Sequence, residues 1–196
     1  MAATLAAIAP DVALIQEAPR LLLWRWSCWL LARRSGLKRV AGGAPAAGNL
    51  LLVSSRVTVV EASAVRLAKR PRLHRRGAVL AVLEVGGRRL GVLGTHLDLE
   101  PAARLETAGR LRARAPGGVP LVVGADVNEE PGGPAWTALS AGLADVAADC
   151  GPTFPARAPS RRIDGLFVDP ALAVLTVRRP DPGPVSDHLP LVADLG

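Results

Sequence analysis

The stretch "AVLAVLEVGGRRLGVLGTHL", residues 78–97, decides the fold class. Two runs rich in Val and Leu flank Gly86-Gly87, and a glycine pair supplies the positive-φ positions that a tight two-residue hairpin needs. The stretch therefore predicts an antiparallel hairpin whose second strand ends at His96. Working outward, "NLLLVSS" (49–55), "VPLVVGADV" (119–127), "IDGLFVD" (163–169), "LAVLTVRR" (172–179) and "LPLVADL" (189–195) read as further strands. A helix stopped by Pro10 precedes a short strand at 12–16. A second helix is predicted from Pro19 to Gly36, a third from about Ala102 to Arg114, and a short one over "GPAWTALSAG" (133–142). "GPTFPARAPSRR" (151–162) reads as loop. A tight antiparallel hairpin among mixed strands and helices argues α/β layers rather than a purely parallel sheet.

The chain of 196 residues is 49% hydrophobic and contains no tyrosine, so a sizeable core must be built from Leu, Val and Ala, with four Trp. The length favours one domain spanning 1–196, and no linker or repeat divides it. The net charge of +7 suits a polyanionic partner, although Ala, Gly, Pro and Arg enrichment also follows from GC-rich coding. Two cysteines, Cys28 and Cys150, lack metal-ligand spacing and read as free thiols. The start lacks a positively charged leader, and "LLLWRWSCWLLA" is too short to span a bilayer and is interrupted by Arg25. The cytoplasm is the expected compartment.

Ionisable and amide residues gather at strand ends. Glu17 ends the first strand and Asn49 opens the second. His96 ends the hairpin, Asp126 and Asn128 end "LVVGADVN", Asp164 opens "IDGLFV", and Asp187 and His188 open the last strand. Each alone has an ordinary structural explanation: an Asx turn at Asp126 and Asn128, an ion pair of Asp164 with Arg162, a strand cap at Asp187-His188. Scattered surface charge would not choose strand ends so regularly, and loops at one rim of a sheet are where function concentrates. Glu17, Asp126, Asp164 and Asp187 offer hard oxygen ligands suited to Mg²⁺ or Mn²⁺, while His96 and His188 suit phosphate binding or proton transfer. Asp98, His74 and the basic run "RLAKRPRLHRR" (66–76) read as surface, the run doubling as a steering arm for polyanions.

Five of these stretches, in order, resemble the endonuclease/exonuclease/phosphatase superfamily with its deoxyribonuclease-I-like fold: "PDVALIQE", "GTHLD", "GADVNEEP", "RRIDGLFV" and "SDHLPL". The resemblance implies a layered sandwich of two mixed β-sheets flanked by helices. It implies a divalent-metal-dependent phosphoester hydrolase, most plausibly a phosphodiesterase or nuclease, that uses an activated water. In that reading Glu17 binds Mg²⁺ or Mn²⁺ with help from Asp187, and His96 contacts the scissile phosphate. Asp126 orients or deprotonates the water, and Asn128 holds geometry and bonds the transition state. Asp164 supports a histidine or the phosphate, and His188 bonds the phosphate. Asn49 and Arg162 are assigned to substrate binding. No serine or cysteine shares the cluster, so no covalent intermediate is expected.

Two departures stand out. The family's opening strand, which carries an Asn, has no counterpart upstream of Glu17; a start upstream of Met1 is the favoured expectation, because losing a central strand would expose apolar edges. Ala125 occupies a position where the family has Gly, with Gly124 expected to serve the same turn. A second reading stays open: a member without catalysis, binding a partner or a membrane peripherally through the Trp-rich helix 20–34, whose sequence is apolar nearly all round. Members of this superfamily cut DNA, RNA, sphingomyelin, inositol phosphates and nucleotides, and the motifs do not choose among these substrates. They are equally silent on oligomeric state.

Overall fold

The computed structural model describes residues 1–196. Strands β1 (Val12–Ile15), β2 (Lys38–Gly42) and β3 (Leu50–Val53) form a small sheet of order β1-β3-β2, antiparallel throughout. Strands β4 (Val57–Arg66), β5 (Gly77–Val85), β6 (Arg88–His96), β7 (Leu121–Asp126), β8 (Ala144–Asp145) and β9 (Asp164–Val168) form the large one, of order β4-β5-β6-β7-β9-β8. Its one parallel pair is β6 with β7, which makes this sheet mixed. A parallel pair needs a crossover, and helix α3 (Pro101–Arg112) supplies it. Strands β10 (Val174–Arg178) and β11 (Val192–Leu195) pair as a separate ribbon. Helices α1 (Ala2–Ile8) and α2 (Trp24–Arg34) lie on the small sheet, and α4 (Pro134–Ser140) joins α3 on the large one.

Side-chain alternation along strands builds the layers. Val79, Ala81 and Leu83 of β5 face Leu51 and Val53 of the small sheet, forming the core between the two sheets. Ala78 and Leu80 of the same strand face the opposite way, onto Ala108 and Leu111 of α3 and Trp136 and Leu139 of α4. On the small sheet, Leu50 and Leu52 turn from the sandwich core toward Cys28 and Ala32 of α2. The result is helices, sheet, sheet, helices: the layered α/β sandwich expected. The hairpin is present as read, with Gly86 and Gly87 at φ of 58° and 79° joining Val85 to its partner Arg88.

Several expectations need correction. Helix α2 begins at Trp24, not Pro19, because Leu23 adopts a left-handed φ of 61° that no helix continues through. The last strand begins at Val192. Pro190 has no N–H to give a ladder, so Asp187 and His188 lie in a bend ahead of the strand rather than at its mouth. Gly124 serves no turn. It pairs with Gly94 across β6 and β7, and a Cβ at either position would stand 2.8–2.9 Å from a Leu14 methyl. The two glycines make the hollow into which Leu14 of β1 sits. They set how closely the small sheet approaches, and so where Glu17, three residues on, emerges. Asp98 is not a surface residue: it is 4% exposed, paired with Arg76 at 3.2 Å and with Thr107 at 3.4 Å.

Candidate active site

Three strand-end residues form one row across the large sheet. His96 of β6 pairs in register with Asp126 of β7, which pairs with Asp164 of β9. Residues in register share a face, and period-two alternation from Val92, Val122 and Val168 puts that face toward the small sheet. The row is thus the polar continuation of the sandwich core at its open end. The register alone makes neighbours of residues up to 68 positions apart in the chain.

The side chains close on one another. His96 Nε2 lies 3.2 Å from Asp126 Oδ2 and 3.0 Å from Asn128 Nδ2. Asn128 Nδ2 also donates to the Leu97 carbonyl at 3.0 Å, which fixes the amide's orientation. Its N–H groups are both committed, so in this arrangement Asn128 braces His96. Since Nδ2 only donates, His96 Nε2 accepts, and the ring proton belongs on Nδ1, which faces Glu17 Oε1 at 3.9 Å. His188 Nδ1 lies 2.8 Å from Asp164 Oδ2, and its ring packs on Phe154 at 4.8 Å. Oxygens of Asp126 and Asp164 and a ring nitrogen of His188 fall within 4.8 Å of one another.

Backbone strain sits at the two ends of this group. Glu17 and Asn128 both have φ of 54°, a left-handed conformation that Asn tolerates and Glu rarely adopts. At Glu17 the turn is held by Ala18 N–H donating to the Gly48 carbonyl at 2.8 Å. The Glu17 side chain is 80% exposed, so its carboxylate is open to solvent above a buried row.

Burial and charge spread the titrations apart. Asp126 is pushed up to about 7, first by burial and then by the neighbouring Asp164 charge. His96 is pushed down to about 3, chiefly by burial, with Arg76 and His188 adding to it. Its contact with Asp126 does not rescue it, because below pH 7 that carboxyl is mostly protonated and offers no full charge. His188 goes the other way, to about 8: burial would lower it, but the hydrogen bond to Asp164 and the charges of Asp164, Asp126 and Asp187 outweigh that. Near neutral pH the site therefore holds one neutral histidine, one charged histidine and a carboxyl poised to lose its proton.

Three expected residues are not brought into this group. Arg162 is committed elsewhere: its guanidinium makes a two-pronged pair with Asp145 at 3.1 and 2.8 Å and lies over the Trp136 ring at 4.7 Å. Asp145, not Asp164, is its acidic partner. Asn49 is 2% exposed, and its Nδ2 donates to the carbonyls of Ala46 and Gly77, tying the start of β3 to the start of β5. Asp187 is exposed beside His188 and lies outside the group within 4.8 Å.

Two supporting residues are not among those that the strand-end pattern picks out. Arg104 of α3, 8% exposed, donates to the carbonyls of Asp98, Leu99 and Asn128 and to Glu129 Oε1 at 3.0–3.2 Å. Glu129 Oε2 accepts from the backbone of Ala135 and Trp136 at 2.7 and 3.0 Å. Together they clamp the loops that follow His96 of β6 and Asp126 of β7, the second of which carries Asn128. The charged pair "EE" following Asn128 hints at Glu129; nothing local marks Arg104.

Residues 1–188 match the family model described as the Endonuclease/Exonuclease/phosphatase family. The chain belongs to that family. Endonucleases, exonucleases and phosphatases all hydrolyse phosphoesters, so phosphoester hydrolysis is the chemistry of the family to which this site belongs. Among curated proteins none matches the sequence. Among solved structures, the endonuclease/exonuclease/phosphatase from Bacteroides vulgatus is similar at a TM-score of 0.80 and 20% identity, covering 100% of this chain and 88% of its own. The mannosyl-6-phosphatase Bt3783 of Bacteroides thetaiotaomicron VPI-5482 is similar at 0.80 and 16%, with the same coverage. TDP2 of D. rerio, complexed with a single-strand DNA product, is similar at 0.75 and 20%, covering 99% of this chain and 89% of its own. At such identities the likeness is one of fold.

Proposed function

We propose that the chain is a phosphoester hydrolase, preferentially a phosphodiesterase, that activates water directly and requires Mg²⁺ or Mn²⁺. The observation that carries this reading is the cross-strand row His96–Asp126–Asp164 with His188 bonded to its far end. The fold relatives include a mannosyl-6-phosphatase and a protein complexed with a single-strand DNA product, and phosphate-containing substrates suit this arrangement too.

The donor set fits a hard divalent cation. Asp126 and Asp164 offer carboxylate oxygens within 4.8 Å of His188, and Glu17 offers an exposed carboxylate with no hydrogen-bond partner of its own. Glu17 would hold the cation, and Asp187, exposed beside His188 and outside that cluster, would assist it. When bound, the cation would neutralise charge on the phosphoryl oxygens and acidify a ligated water.

The chain's own residues supply the remainder. Asp126, titrating near 7, accepts the proton of the attacking water and is half in its basic form at neutral pH. His188, kept cationic by Asp164, donates a charge-assisted hydrogen bond to a phosphoryl oxygen as negative charge builds there. His96 stays neutral and braced by Asn128, which makes it a donor through Nδ1 without placing a second full positive charge in a buried site. The burial of Asp126 and His96, whose side chains are 8% and 13% exposed, strengthens these interactions.

The test is hydrolysis of an aryl phosphodiester with Mg²⁺ or Mn²⁺, with EDTA as control. Activity is expected to need the cation and to fall by about 10²–10⁴-fold in Asp126→Ala and in His188→Ala. Turnover that survives EDTA, or that persists in the double variant, would refute the assignment.

A further inference from the structure

Helix α2 and the turn before it leave an apolar ledge without a partner. One side of the helix is anchored: Cys28 and Ala32 are buried, with Trp24 and Leu31 packed beside them. The other side is open. Leu21, Leu22 and Leu23 are 80%, 92% and 68% exposed, and Trp26 and Trp29 are 58% and 41% exposed, stacked on each other at 4.8 Å. Exposing five large apolar side chains together is costly in water, and a contiguous patch of this kind marks an interaction surface.

The ledge adjoins a cationic groove of about 610 Å³. Leu21 lines it, together with Arg20, Arg66, Lys69, Arg72, His74 and Arg75, and no acidic side chain is among the lining residues. The groove lies near the candidate active site. Arg20 follows Glu17 by three residues and reaches the Ala47 carbonyl at 3.4 Å, and its charge is felt by His96. The asymmetry extends through the sequence: residues 18–83 contain thirteen of the 24 Lys and Arg but only one acid, Glu61.

A nucleic acid strand would use the cations but leave the three leucines in water. A second protein would use the leucines but would need a dense acidic face to match the arginines. An anionic lipid surface uses both at once: apolar side chains enter the acyl boundary, Trp sits at the interface, and Arg meets lipid phosphates. Arg33 lying over Trp29 at 5.3 Å is the pairing of cation and ring that suits that depth.

We propose that the ledge Leu21–Leu23, Trp26 and Trp29, with its basic groove, docks the protein on an anionic lipid bilayer, setting the candidate active site at the level of the head groups. The docking does not depend on the hydrolase reading, and it is tested without catalysis. Sedimentation with vesicles of phosphatidylcholine alone, and of phosphatidylcholine with phosphatidylserine, is measured in EDTA. The protein is expected to pellet with the anionic vesicles at least about tenfold more strongly than with the neutral ones, and to be released by salt. The double variant Leu22→Ser/Trp26→Ser, altering only exposed side chains, is expected to lose at least about tenfold of this binding while keeping the parent's thermal transition. Arg72→Glu/Arg75→Glu is expected to bind neutral and anionic vesicles alike. The proposal is overturned if vesicles fail to pellet the protein, if the Leu22/Trp26 variant binds as the parent does, if a single-stranded oligonucleotide outcompetes anionic vesicles at equal phosphate, or if the ledge proves in sedimentation velocity to be covered by a second copy of the chain.

Discussion

At the scale of single residues, the distinction that matters is between two histidines in one pocket. His96 and His188 differ in partners, not in kind: His96 accepts from an amide and faces a carboxyl that is mostly neutral below pH 7, whereas His188 holds Asp164 at 2.8 Å. One is driven to about 3 and the other to about 8. Asp164→Asn removes the charge that sustains His188. Burial is then opposed only by the Asp126 and Asp187 charges, and the His188 titration followed by NMR is expected to drop well below about 8. Activity at pH 7.5 is expected to fall by about 10²-fold, since the donor to the phosphoryl oxygen becomes neutral. An unshifted His188 titration in that variant would mean that Asp164 positions the ring without sustaining its charge. Arg162 carries the converse lesson. Its place two residues before Asp164 in the sequence suggests a site residue, yet Arg162 lies ahead of β9, and Asp145 and Trp136 claim the guanidinium.

At the scale of elements, glycines decide how the sheets meet. Gly94 and Gly124 lie side by side on β6 and β7, and Leu14 fills the space over both. Gly124→Ala introduces a methyl within 2.9 Å of Leu14 Cδ1, so the Leu14 side chain, or the strand β1 that carries it, must shift. Overpacking of this sort costs about 1–3 kcal/mol. Chemical denaturation is expected to register that loss, and activity is expected to fall further than stability, because Glu17 rides on β1. A variant of full stability and full activity would show that the hollow is not needed. The strands legible from sequence are those with a patterned or uninterrupted apolar run: β1, β3, the β5–β6 hairpin, β7, β9, β10 and the later part of "LPLVADL", β11. Strand β4 was not, because its ten residues are almost all exposed and Glu61 breaks its apolar run, as suits an edge. The start of α2 was missed for a local reason: Pro19 looks like a helix opener, but the left-handed turn at Leu23 intervenes.

At the scale of the whole molecule, pairing of strands converts five short motifs into one site. The order of the motifs was readable, and so was the class of fold, but register was not. The in-line placement of His96, Asp126 and Asp164 arises only from the parallel β6–β7 and antiparallel β7–β9 ladders. The clamp by Arg104 was equally hidden, because it reaches across from α3 to loops 24 residues away. Three perturbed groups also give the metal-free protein a pH signature. Asp126 binds its proton more tightly when folded, so stability falls as pH rises from about 4 through about 7. The stability His188 contributes is fully present below its unfolded value of 6.5 and is lost as pH rises through about 8. His96 acts oppositely, its stability returning between about 3 and 6.5 and complete above that. From pH 6.5 to 8 only the losses remain. The melting temperature in EDTA is therefore expected to decline over that interval, and a flat or rising profile would contradict these assignments.

At the centre of this reading, Glu17 holds a divalent cation beside Asp126, and His96 and His188 hold the phosphate against it. Titration of the protein with Mn²⁺, followed by electron paramagnetic resonance with and without inorganic phosphate, measures this directly. Saturable Mn²⁺ binding that phosphate tightens is expected, with a loss of about tenfold or more in affinity in Glu17→Gln. Mn²⁺ affinity unchanged by both Glu17→Gln and Asp126→Asn, or indifferent to phosphate, would contradict it.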